Sequence, residues 1–215
     1  HGDDFTILGH GVDLDWFREL IQKRFEVKVR GRIGPEAEDD KSIRILNRIV
    51  EWTEEGIRYE ADQRHAEIIV RELGLRKSSS ALSVPAVKSE VIEEENVRYL
   101  KPEDATTFRA LTARGIYLSQ DRSDIAYAVK ELSRGMSHPT EDHFEALKRL
   151  GRYLLGKPRE VKLFQYQKTV RKITGWTDTD FAGCKNSRKS TSGGVITVGS
   201  HVLKTVSYTH LRAHE

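Results

Sequence analysis

Two acidic turns hold the residue types best suited to metal-assisted chemistry in this chain of 215 residues. The first is Asp3–Asp4, within His1–Gly2–Asp3–Asp4–Phe5. Adjacent carboxylates repel each other, and a divalent cation relieves that repulsion. Mg²⁺ takes hard oxygen ligands and is held by one or two carboxylates together with substrate phosphates. Two such ions about 4 Å apart activate a hydroxyl nucleophile and steady a leaving pyrophosphate. The second turn is Thr177–Asp178–Thr179–Asp180–Phe181–Ala182–Gly183, where Asp178 ends a strand pattern at the edge of a sheet. Its Asp-x-Asp spacing also suits a metal-dependent transferase acting on nucleotide sugars. Asp is common in turns for local reasons, so a solvated turn for the first and a capped loop for the second are the better readings of either taken singly.

A third candidate is cationic. Lys148 and Arg152 lie four apart on a helical pattern, with Arg149 beside them. Residues 148–172 carry nine basic side chains against Glu160, inside a chain whose formal net charge is only +3. A local surplus of this kind attracts a polyanion in a salt-dependent way, and a solvated basic face is the plainer reading. Other groups offer less. Cys184 has no companion cysteine, and His138 and His143 lack zinc-ligand spacing. Arg188–Lys189–Ser190–Thr191–Ser192–Gly193–Gly194 has the cations and glycines of a phosphate cradle without P-loop spacing, so it reads as a flexible basic loop.

The elements that position these residues follow from periodicity. No apolar run approaches the roughly 18 residues that cross a bilayer. One cysteine excludes a disulfide scaffold. The first residues are no signal peptide, and Met136 is the only methionine, so the chain reads as an excerpt of a longer frame. Residues 1–9 read as a hairpin tip and arm, followed by a helix capped by Asp13 with Trp16, Phe17, Leu20 and Ile21 on one face. Phe25–Arg30 alternates as a half-buried strand. Ser42–Trp52 and Ile57–Ala61 read as two strands joined at Thr53–Gly56. Asp62 caps a helix with Ala66, Ile69, Val70 and Leu73 inward, closed by Gly74. Three helices are predicted at about 104–119 (burying Phe108, Leu111 and Ile116), 123–134 (Ile125, Ala128, Val129, Leu132) and 140–156 (Phe144, Leu147, Leu150, Leu154). Val161–Gln167, Arg171–Asp178, Gly194–Val198 and His201–Thr205 follow as strands, the last two a hairpin around Gly199–Ser200.

The order of segments resembles copia-type LTR-retrotransposon Pol polyproteins, from the end of reverse transcriptase into ribonuclease H. His1–Gly2–Asp3–Asp4 is similar to the family's Tyr-x-Asp-Asp turn, with His1 in the tyrosine position, and Ile43–Ala61 to the hairpin that supports the primer end. The resemblance is densest from Phe108 to Lys204. It includes Ser123–Asp124–Ile125–Ala126–Tyr127–Ala128–Val129, Leu132–Ser133–Arg134, Met136–Ser137–His138–Pro139–Thr140 and His143–Phe144–Glu145–Ala146–Leu147–Lys148–Arg149. Arg152–Tyr153–Leu154, Asp178–Thr179–Asp180–Phe181–Ala182–Gly183 and Arg188–Lys189–Ser190–Thr191–Ser192–Gly193 complete it. After Thr205 the chain departs from the family, and Val206–Glu215 resembles one reading frame of a sequencing-library adapter.

The resemblance implies an α+β fold: the end of a polymerase palm with β-hairpins, a three-helix thumb or connection region, then the first strands of a truncated ribonuclease H-like sheet. The expected division is 1–75 palm end, 76–103 linker, 104–157 helical region, 158–205 start of the nuclease, and 206–215 outside the fold. The implied parent is an RNA-directed DNA polymerase with ribonuclease H. It would use Mg²⁺ and deoxynucleoside triphosphates on a template–primer, and act on RNA–DNA hybrid. Asp3, Asp4 and Asp178 would be catalytic metal ligands, and Lys148, Arg149 and Arg152 would face nucleic acid. No membrane is implied, and the expected location is intracellular, in a cytoplasmic virus-like particle or the nucleus. The excerpt by itself is expected to be inactive. The rival readings are a non-catalytic nucleic-acid-binding remnant and the Asp-x-Asp transferase.

Overall fold

The computed structural model describes residues 4–87, 97–182 and 188–209, with the side chains of 208 and 209 left aside. It is a mixed α+β chain with two antiparallel sheets, of four and three strands, and a helical layer that holds the core.

The first sheet runs in order β1 (Ser42–Ile45), β2 (Arg48–Trp52), β3 (Gly56–Glu60) and β4 (Val161–Gln165). The expected single strand Ser42–Trp52 is instead a hairpin. Leu46 and Asn47 both take positive φ, 47° and 65°, the pattern of a tight two-residue turn. Asn favours that conformation and Leu does not, so an apolar alternation hid the turn. At the next turn, a Cβ at Gly56 would collide with the Phe164 carbonyl oxygen, which is why β3 and β4 can pair closely. β4 lies about a hundred residues after β3 and pairs with it, Glu60 opposite Val161. The strand expected at the head of the 158–205 segment thus belongs to the first sheet.

The helical layer comprises α2 (Arg64–Glu72), α3 (Pro102–Ser119), α4 (Ala126–Arg134, entered through a 3₁₀ turn at Ser123–Ile125) and α5 (Glu141–Gly156). Ile69, Phe108, Leu111, Leu118, Ile125, Val129, Leu132, Leu147, Leu150 and Leu154 form its interior. The expected inward residue Ile116 is 39% exposed, and Leu118 with Gly115 takes the inner face instead. A Cβ at Gly115 would press on Val129 at 3.2 Å, so this glycine lets α3 and α4 approach. Thr140 and His143 form a reciprocal cap on α5. Gly74, at φ 66°, closes α2 as its position predicts.

Two N-terminal expectations fail. Residues 4–10 form no strand, and Phe5 and Leu8 are exposed. Phe25–Arg30 is likewise irregular, because among the described residues no neighbouring strand runs alongside it to accept a ladder. Between them α1 (Gly11–Gln22) forms with Asp13 in its first turn and no residue fully buried.

The second sheet contains β5 (Ile173–Thr179), β6 (Thr191–Val198) and β7 (His201–Thr209), with Gly199 at φ 58° in the β6–β7 turn. β7 continues past Thr205, so residues 206–209 join the sheet opposite 191–194 although the sequence reading set them aside. Thr191–Gly194, half of the supposed basic loop, is strand, and its backbone serves the ladder instead of cradling phosphate.

Candidate active site

Asp178 sits near the end of β5, opposite Gly193 of β6, and is exposed. Its Oδ1 accepts the Thr179 N–H at 2.9 Å, a local bond that fixes the carboxylate against the strand end. Asp180 has a different task. Its N–H donates to the Thr191 carbonyl at 3.0 Å, and its carboxylate accepts the Thr191 N–H. It therefore extends the β5–β6 pairing by one more link. Both acids of the Asp-x-Asp pattern are exposed, but the Asp180 carboxylate is engaged as a clasp across the two strands, whereas that of Asp178 meets the N–H of the next residue. Among the described residues, no three His, Cys, Asp or Glu side chains converge on one point. Asp178 offers a single hard-oxygen ligand, and the described residues do not by themselves fit a two-metal centre. Asp4 is exposed in irregular chain, and Asp3 lies outside the described residues.

The cationic candidates lie on α5 but do not form an open stripe. Lys148 bonds Glu145 one turn back at 2.7 Å and lies 5.3 Å from the Phe144 ring centroid. Arg152 donates to the Ser80 carbonyl at 2.7 Å and so fastens the segment after α2 to the helix. Arg149 is half-buried, with its Nε enclosed and without a hydrogen-bond partner.

The most developed polar constellations are ones that residue spacing did not single out. Arg122, only 1% exposed, forks onto Asp124 at 2.9 and 2.7 Å. It also donates to the carbonyls of Lys157 at 3.1 Å and Pro158 at 3.4 Å, capping the end of α5. Tyr153 Oη donates to Asp124 at 2.7 Å. Burial pushes the Asp124 carboxyl up, but the bonds from Arg122 and Tyr153 and the charges of Arg122 and Lys157 outweigh it and hold the group below the ordinary Asp range. A second cluster joins the first sheet to α3. Asp121 accepts from Arg48 at 2.8 Å and from Tyr59 Oη at 2.8 Å. Burial, then the bond to Asp121, pushes the Tyr59 phenol up to about 12. Arg159 forks onto buried Glu60 at 2.6 Å through each nitrogen, tying the chain ahead of β4 to β3. The short Arg122-x-Asp124 spacing was the available signal for the first cluster. The other two pair residues 73 and 99 positions apart, which no local pattern reveals.

Comparison with known proteins finds relatives for about half of the chain. The chain is 39% identical over 100 residues to the retrovirus-related Pol polyprotein from transposon RE1 of Arabidopsis thaliana, and 37% identical over 100 residues to that from transposon RE2. Each match spans 46% of the chain. The Pol polyprotein from transposon TNT 1-94 of Nicotiana tabacum is 40% identical over 76 residues, 35% of the chain. Over these stretches the chain is homologous to transposon Pol polyproteins. It spans only about 7% of the RE1 and RE2 Pol polyproteins and 6% of the tobacco one. No family model matches the chain, and no solved structure matches it. Within the Pol-like motifs quoted above, Asp124 and Tyr153 act structurally, through Arg122, whereas Asp178 remains exposed.

Proposed function

We propose that the chain is the part of a retrotransposon Pol polyprotein in which reverse transcriptase ends and ribonuclease H begins. The parent would be an RNA-directed DNA polymerase acting on template–primer with deoxynucleoside triphosphates, and its nuclease would cut the RNA of RNA–DNA hybrid. The observation that carries this reading is the exposed Asp178 at the end of a strand in an antiparallel sheet, in a chain homologous to Pol polyproteins. Mg²⁺ supplies Lewis-acid and charge-neutralising chemistry when bound in such enzymes. Asp178 would be one of its nuclease ligands and Asp3 and Asp4 ligands in the polymerase site, with other carboxylates of the parent completing both. The parent would work inside the cell, in a virus-like particle or the nucleus.

The test uses a Pol protein carrying this segment, assayed for hybrid cleavage and for primer extension. Asp178→Asn keeps shape and removes charge. Losing one metal ligand forfeits several kcal/mol of transition-state stabilisation, so cleavage should fall about a hundredfold or more. Primer extension should stay near the parental rate, and Asp3→Asn should give the opposite pattern. Hybrid cleavage at the parental rate in Asp178→Asn refutes the assignment.

A further inference from the structure

We propose that Lys130 is a positioning residue that clamps the Asp178 end of β5 to the helical layer, acting through Thr191. Lys130 lies on α4, and its side chain is only 10% exposed. Its ammonium donates to Thr191 Oγ1 at 3.2 Å, pairs with the Glu131 carboxylate and stands 4.9 Å from the Tyr127 ring centroid. Burying an ammonium is costly unless fixed acceptors meet it. Glu131 is the next residue on the same helix and would serve equally well at the surface. The contact that requires an inward Lys130 is the one to Thr191, 61 residues away.

Thr191 is the hub of the β5 terminus. Its carbonyl accepts the Asp180 N–H at 3.0 Å and the Thr179 hydroxyl at 3.1 Å, and its own N–H donates to the Asp180 carboxylate. Thr179 in turn donates its N–H to Asp178 Oδ1. A displacement of Thr191 therefore reaches both residues that follow Asp178. Lys130 is the link that fixes this hub relative to α4, which also packs on β7. The role of the positioned carboxylate rests on the nuclease reading above, whereas the clamp itself is a property of this chain.

Residue-resolved amide hydrogen exchange on the 215-residue chain tests the clamp. Lys130→Met and Thr191→Val should each speed exchange at the Asp180 and Thr191 amides about tenfold or more, the equivalent of one charge-assisted hydrogen bond. The double variant should exceed neither single one. Lys130→Arg should restore exchange to within about threefold of the parent. The Leu132 and Leu150 amides should keep their parental rates in all four proteins. Parental exchange at Asp180 and Thr191 in Lys130→Met overturns the proposal, as does equal acceleration at Leu132 and Leu150. If Lys130→Met fails to fold, Thr191→Val decides, because it leaves α4 untouched. Failure of the nuclease reading looks different: Asp178→Asn would cleave hybrid at the parental rate while the exchange pattern held.

Discussion

Replacing Arg122 with Met should be among the most damaging single changes in the chain. Arg122 is the largest fully buried side chain among the described residues, and Met fills much of its length without charge or donors. The change strands the Asp124 carboxylate, only 18% exposed, with Tyr153 at 2.7 Å and Lys157 at 3.9 Å as its remaining partners. It also uncovers the Lys157 and Pro158 carbonyls at the end of α5. Breaking one side of a buried ion pair costs about 3–5 kcal/mol. A domain holds only about 5–15 kcal/mol in total, so the variant forfeits a large part of its margin. Urea unfolding followed by circular dichroism reads the loss, and adding Asp124→Leu should recover at least about 1 kcal/mol, since the second change removes the orphaned charge.

The pH dependence supplies the sharper criterion. In the parent, the Asp124 carboxyl titrates below its ordinary value of 3.8, so its contribution is present above about pH 4 and is lost as pH falls through the lowered value. In Arg122→Met the bond and the charge of Arg122 are gone, so the same carboxyl titrates higher than in the parent. The variant's deficit should therefore narrow between pH 7 and pH 4. A deficit under about 1 kcal/mol at pH 7, or one that is equal at both pH values, refutes the reasoning.

Two further outcomes follow from backbone and cap. Leu46→Asn, at φ 47° beside Asn47, should stabilise the β1–β2 hairpin by about 0.5–1 kcal/mol, read as a rise in thermal midpoint, because Asn tolerates the left-handed region better. His143 Nδ1 accepts the Thr140 N–H at 3.2 Å, and burial holds the imidazole below 6.5. Its contribution is complete above pH 6.5 and lost as pH falls below that value, so His143→Gln, which keeps an acceptor at the same helix position, should flatten the thermal midpoint between pH 7 and pH 5 by the worth of about one cap, roughly 1 kcal/mol.

The helices were legible because their signals are local. Phe108 and Leu111, Val129 and Leu132, and Leu147, Leu150 and Leu154 recur at three- and four-residue intervals within their helices, and all seven are buried. Thr140 and Gly74 announced a start and a stop by residue type. Strands β4 to β7 were legible from their own patterns, but pairing was legible only where a partner lay nearby, as in β6–β7 around Gly199. β4 has a clear alternating pattern, yet nothing in residues 161–165 says that Glu60 stands opposite Val161. Phe25–Arg30 shows the converse: an alternating pattern predicts a strand only if another strand is there to receive it. The candidate site divides in the same way. Asp178 and Asp180 share one short pattern and both are exposed, and only the placement of Thr191 shows that the second carboxylate is engaged in a clasp.

The cationic face shows how far a charge count can mislead about a surface. Of the basic residues in 148–172, Lys148 is held by Glu145, Arg152 by the Ser80 carbonyl, Lys157 by Glu160 and Arg159 by Glu60. Lys148 and Arg152 each keep further N–H donors that a phosphate can meet, and only a side chain swung fully onto the phosphate gives up the bond already made. Each displaced bond offsets about 0.5–1.5 kcal/mol of what the new contact provides. For Arg152 the cost is also conformational, because the bond it would surrender anchors a segment 72 residues earlier in the chain. Duplex binding on this side of α5 would therefore draw more on the net field of the segment than on a ready-made stripe. That field is screened within about 10 Å at 0.1 M salt, so the surplus favours loose, salt-sensitive association over a fixed register.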